Sequence, residues 1–126
     1  MSEPAPAVAA RELVILARDF DGLVEWYAST LGLAEVARFP ELPYVNLEST
    51  AGLRVGIGIA PAEAAAIDPT VIPQIETPDV AALLHRVRER GGSIDGPLTD
   101  SARGFSFGSF KDPEGNPWWV VDPNCP

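Results

Sequence analysis

The sequence predicts an α+β fold built from two βαβββ modules. Their strands form a curved, mixed β-sheet trough with the helices on its outer face. Three observations carry this. An apolar strand followed by an amphipathic helix and three short strands occurs twice, in the same order, with Asp19 and Asp79 at matching points. The strand candidates alternate or run apolar over five to eight residues between Gly and Pro punctuation. Each half has one helix, and one helix covers only one face of its sheet.

The elements follow in order. Residues 12–17 (ELVILA) read as an apolar strand. A helix runs from about Asp19 to Leu31, with Phe20, Val24, Tyr27 and Leu31 on one face and Gly32 as its stop. Strands are expected at about 34–39, 43–49 and 53–59, separated by Pro40 and Pro43, then by Ala51 and Gly52. Residues 61–70 form a linker, and AEAAAIDP within it is compatible with a helical turn.

The second module opens with a strand at 71–76 (VIPQIE). Thr77 reads as the next N-cap, with Pro78 in the first helical position. Val80, Leu83, Leu84 and Val87 make the apolar stripe of that helix, and Gly91 and Gly92 end it. Strands at about 93–98, 104–111 and 117–122 complete the module. The last two flank DPEGN (112–116), where Asp112, Pro113 and Gly115 suit a type I turn. Trp118 and Trp119 follow, and adjacent strand residues point to opposite faces. One indole therefore packs under a helix and the other looks the opposite way.

Length and composition bound the rest. A chain of 126 residues suits a single domain, with module one at about 11–60 and module two at about 71–122. The net charge of −9 without any basic stripe argues against nucleic acid as a partner. No apolar run reaches the length of a membrane span. The N-terminal MSEPAPAVAA lacks the basic start and apolar centre of a secretory signal and reads as a loose arm. One cysteine, Cys125, has no partner for an internal disulfide, which points to a reducing, cytoplasmic setting. High Ala, Pro and Arg with a single lysine suit a GC-rich bacterial genome.

The motifs EWYASTLGL (25–33) and FKDPEGNPWWVV (110–121), with the internal repeat, resemble the vicinal oxygen chelate superfamily. That superfamily spans glyoxalases, extradiol dioxygenases and bleomycin resistance proteins. Its metal-dependent members place ligands at set strand positions. Counted from Asp19, Asp79 and Asp112, these fall at Glu12, Ile72 and Trp119. A fourth, on the strand RVGIGI, falls near Gly56 and Gly58. Only Glu12 has a donor side chain, and a divalent ion needs three or four. The expectation is therefore no metal and no cofactor. The one histidine, His85, lies on the second helix, away from the trough.

The resemblance also implies that Trp119 faces the trough. It either contacts a planar or cationic ligand or fills a cavity that holds nothing. By alternation Val14 and Leu16 share a face with Glu12, Gln74 and Glu76 with Ile72, and Val121 with Trp119. Gly56 and Gly58 are expected to leave room for a bulky ligand. Glu12 has three readings: a solvated rim carboxylate, a partner for a cationic ligand group, or a general acid/base. The function expected is metal-free binding of a small planar or cationic molecule by a homodimer. A metal-independent isomerase or lyase using Glu12 is the alternative, and a metal-dependent glyoxalase or dioxygenase stands behind it.

Overall fold

The structure is a computed structural model and describes residues 7, 10–41, 43–60 and 72–126. The N-terminal arm, the 61–70 linker and Val71 lie outside the described residues, apart from Ala7 and Ala10. The elements run β1 Leu13–Ala17, α1 Phe20–Thr30, β2 Ala34–Phe39, β3 Tyr44–Glu48, β4 Arg54–Ile59, β5 Gln74–Glu76, α2 Val80–Glu89, β6 Ser93–Asp100, β7 Phe105–Lys111 and β8 Pro117–Val121. This is βαβββ twice. Two four-stranded mixed sheets result, ordered β1-β4-β3-β2 and β5-β8-β7-β6. In each, the first strand of the module runs parallel to its fourth, and the remaining pairs are antiparallel.

Both helices start on an aspartate. Asp19 accepts a hydrogen bond from the Gly22 amide at 3.1 Å, and Asp79 accepts one from Ala82 at 2.9 Å. Each satisfies an N–H that the helix cannot pair internally. The expected cap at Thr77 is corrected by this geometry: the Thr77 amide belongs to the sheet, donating to the Val121 carbonyl at 3.0 Å. At the far end of α2, Gly91 takes φ 91°. The amides of Gly91 and Gly92 return to Arg88 and Val87, closing a Schellman motif.

The fifth strand is shorter than expected. Ile72 and Pro73 lie outside it, and Pro73 has no N–H to give the ladder. Its carbonyl alone joins, accepting from the Trp119 amide at 2.9 Å. In the other direction β6 runs on to Asp100, past a register shift between Asp95 and Leu98.

One core joins the modules. Val45, Leu47, Val55 and Ile57 supply the first sheet's side of it; Phe110, Trp118 and Val120 supply the second's. The first helix buries Leu23 and Trp26 as well as Val24 and Tyr27, a wider stripe than its Phe20–Val24–Tyr27–Leu31 face predicts. It does so because it packs against both modules. Trp26 donates its indole N–H to the Arg90 carbonyl at 2.7 Å and lies 6.4 Å from the Phe110 ring. Arg86 of α2 in turn caps the end of α1, donating to the Thr30 and Ser29 carbonyls. Ile15 and Ala17 pack beneath the helices, while Leu13 is exposed at the strand's start.

Candidate functional site

The sheet faces turned away from the helices are where the unusual side chains collect. On the second sheet, Trp118 is 1% exposed and Trp119 is 51% exposed. Strand alternation thus sends one indole into the core and the other to the open face. There Trp119 lines a hollow of about 370 Å³ with Gln74, Leu98, Phe105, Phe107, Ser109, Val121 and Cys125. The cross-strand register explains the set: Gln74 pairs with Trp119, Trp119 with Ser109, Val121 with Phe107, and Phe107 with Leu98. The rings of Phe105 and Phe107 lie 5.7 Å apart and tilted, forming an aromatic wall. Asp95 and Asp100 are the acidic residues of the lining, and among the described residues that line it none is basic. Asp100 is committed to Arg103 at 2.8 Å, whose hydrogen bonds hold its carboxyl below the usual carboxylate range.

On the first sheet, Val14 pairs with Gly56 and Leu16 with Gly58, and both apolar side chains are more than half exposed. Glu12, just ahead of β1, reaches across this face. Its carboxylate accepts hydrogen bonds from the Tyr44 hydroxyl and, at 2.7 Å, from the Asn46 side-chain amide. Arg54 stands 3.9 Å from it and 3.8 Å from Glu48. Burial, then the hydrogen bond to Glu12, pushes the Tyr44 phenol up to about 12.

The glycines were expected to leave room for a ligand, and here the structure corrects the expectation. A Cβ at position 56 would overlap the Tyr44 hydroxyl and meet the Glu12 carboxylate; one at 58 would stand 3.2 Å from Leu16 and 3.4 Å from the Tyr44 ring. The room exists, but side chains of the same chain fill it.

Within one chain the expected site residues fall on two faces. Gln74, Trp119 and Val121 line the hollow, whose wall comes from module two and the C-terminal Cys125. Glu12, Val14, Leu16, Gly56 and Gly58 lie on the first sheet's side. Ile72 is half-buried ahead of β5, and Glu76 is exposed at that strand's end; neither lines the hollow. Tyr44, Asn46, Phe105, Phe107, Ser109, Asp95, Leu98 and Cys125 were missed by sequence reasoning. Alternation along β3 and β7, applied as it was to β1, would have placed the first five.

Among the described residues no three His, Cys, Asp or Glu side chains converge as a metal would need. Ile72 and Trp119 offer no donor, and both oxygens of Glu12 already hold hydrogen bonds. These residues do not fit a divalent ion, and no chemistry is routed through one. His85 lies on the other side of the molecule, 3.5 Å from Glu89, beside a wide depression between the helix ends. No helix among the described residues is long and apolar enough to cross a membrane.

A family model described as the Glyoxalase/Bleomycin resistance protein/Dioxygenase superfamily matches residues 10–120. A search of curated proteins returned no match. Among solved structures, the chain is similar to a member of that superfamily from Sphaerobacter thermophilus, at 22% identity and TM-score 0.73, over 92% of this chain and 98% of that one. It is also similar to TnmS3, an antibiotic binding protein from a Streptomyces species, at 22% identity and TM-score 0.71, over 94% and 99% of the two chains. A family enzyme from Burkholderia phytofirmans aligns at 16% identity and TM-score 0.71, over 88% and 95%. At these identities the likeness is one of fold.

Proposed function

The chain belongs to the Glyoxalase/Bleomycin resistance protein/Dioxygenase superfamily, and we propose that within it this member is a metal-free small-molecule-binding protein for a planar or cationic ligand. The observation that carries this is the hollow around Trp119. It combines a half-exposed indole, a second aromatic wall and a few polar groups, the usual make-up of a small-molecule pocket. An indole face stacks on planar groups and attracts cations, and Asp95, the lining acid not paired with Arg103, favours positive charge. TnmS3, of similar fold, is an antibiotic binding protein, which supports the same class of role.

The protein works as a cytoplasmic homodimer in this reading. Val14, Leu16 and Phe39 are exposed on the open face of the first sheet, Leu98 and Trp119 on the second. A second copy laying its first sheet over the hollow covers this apolar surface and brings Glu12 opposite Trp119. The enzyme reading, with Glu12 as a general base, has less support because Tyr44 and Asn46 occupy both of its oxygens.

Calorimetric titration with a planar aromatic cation such as 9-aminoacridine, beside an uncharged tricycle, tests the proposal. Saturable binding that Trp119→Ala weakens by about 1–3 kcal/mol is expected, the range of a lost aromatic stack. Unchanged affinity in that variant removes the hollow from consideration as the site.

A further inference from the structure

The floor of the hollow is ordered in rows that cross the second sheet. Cross-strand partners share a face, so Gln74, Trp119, Ser109 and Asp95 form one row on the open side. Val121, Phe107 and Leu98 form the next. The first row places polar side chains on both sides of the indole. The second is apolar throughout.

Asp95 and Leu98 are three positions apart, and strict alternation would put them on opposite faces. A bulge brings them to the same one. Asp95 opposes Ser109 and Leu98 opposes Phe107, three steps along β6 against two along β7. Gly96 lies within the bulge at φ 103°, where a Cβ would stand 3.2 or 3.3 Å from the backbone of Leu98, Gly108 and Phe107. Glycine suits both the dihedral angle and the close approach. Without the extra residue, either Asp95 or Leu98 would turn toward the helices.

The two acids of the lining are not equivalent. Asp100 accepts from the Arg103 amide at 3.0 Å and from its guanidinium at 2.8 Å. Asp95 is exposed, and among the described residues no hydrogen bond or ion pair engages its carboxylate. Lys111 lies on the same face, one diagonal step from Asp95, but is not part of the lining. Asp95 stands two strands from Trp119, about 10 Å between backbones. A ring on the indole and a charge at Asp95 therefore belong to different parts of one ligand, joined across the short side chain of Ser109.

We infer that Asp95 sets the charge preference of the hollow: the ligand lays a flat apolar body along Trp119 and Phe107 and ends in a protonated amine over Asp95. This role rests on the hollow being the binding site, as proposed above. It narrows the ligand from planar or cationic to planar with a cationic end.

Calorimetric titration of the full chain with 3-(2-naphthyl)propylammonium and with its alcohol analogue, 3-(2-naphthyl)propanol, separates ring from charge. The parent should bind the ammonium about fivefold more tightly than the alcohol, the upper range of an exposed ion pair. Asp95→Asn should abolish that advantage. Asp21→Asn makes the same charge change at an exposed position on α1 and should keep it, which excludes the overall charge of −9 as the cause. Trp119→Ala should weaken both compounds. An ammonium advantage that survives Asp95→Asn, or that Asp21→Asn removes equally, overturns the role of Asp95. Equal binding of the two compounds by the parent does the same. In each of these cases, alcohol binding that depends on Trp119 leaves the hollow standing as the site. Binding of neither compound, or binding indifferent to Trp119→Ala, overturns the hollow and the role of Asp95 with it.

Discussion

Tyr27 and Asp112 lie 85 positions apart and meet in the core through a 2.7 Å hydrogen bond. The phenol donates to the carboxylate and accepts from the Trp118 indole at 2.9 Å. Asp112 also accepts from the Glu114 and Asn116 amides and from the Asn116 side chain. Glu114 then reaches back to the amides of Arg18 and Asp19, at the start of the helix that carries Tyr27. The two motifs that carry the family resemblance are thus bonded to each other. Their shared role is to lock the last turn of module two onto the helix of module one.

Removing the link should cost stability. Tyr27→Phe keeps the ring but leaves the buried Asp112 and the Trp118 N–H each short of a partner, and an unsatisfied buried group costs about 1–3 kcal/mol. Urea unfolding should show the midpoint fall with the slope unchanged. A variant as stable as the parent would mean that the network is dispensable.

The chain has only two tyrosines, Tyr27 and Tyr44, which makes its alkaline titration simple to read. Burial, with the nearby Asp112 carboxylate, raises the Tyr27 phenol far above its ordinary value, and Tyr44 rises to about 12. Unfolded tyrosines ionise near 10. Both groups are protonated in both states below that pH, so their contribution is fully present there. Above it the unfolded chain releases protons that the folded chain keeps, and stability falls between about 10 and 12. Near-UV absorbance should show no phenolate at pH 10 in the folded protein. A normal titration of either residue contradicts the described packing.

Trp118 and Trp119 should respond very differently to truncation. Trp118 is buried and stacked on Phe110 with ring planes 4° apart, so Trp118→Ala should cost about 3–5 kcal/mol. Trp119 is half exposed, and Trp119→Ala should change stability by less than about 1 kcal/mol. Thermal and urea melts of the pair check this. Equal losses would place both indoles in the core.

Much of the architecture was legible because its signals are local. The apolar stripes, the Gly and Pro punctuation and the doubled order gave two βαβββ modules, and period two alone separated Trp118 from Trp119. The family resemblance, extended by alternation, named Glu12, Gln74 and Val121 as open-face residues. Local pattern misjudged the second cap, because whether Thr77 or Asp79 opens α2 depends on where the Thr77 amide is used, and that is decided by the Val121 carbonyl on a distant strand.

Tertiary structure alone decided which open-face residues meet. Glu12 and Trp119 share a parity, yet in one chain they stand on separate sheets, and parity carries no information about distance. The room above Gly56 likewise looked vacant in the sequence. It is taken by Tyr44 from β3 and by Glu12 from before β1. A missing side chain is a local fact; what moves into its place is settled by the strands that pair beside it.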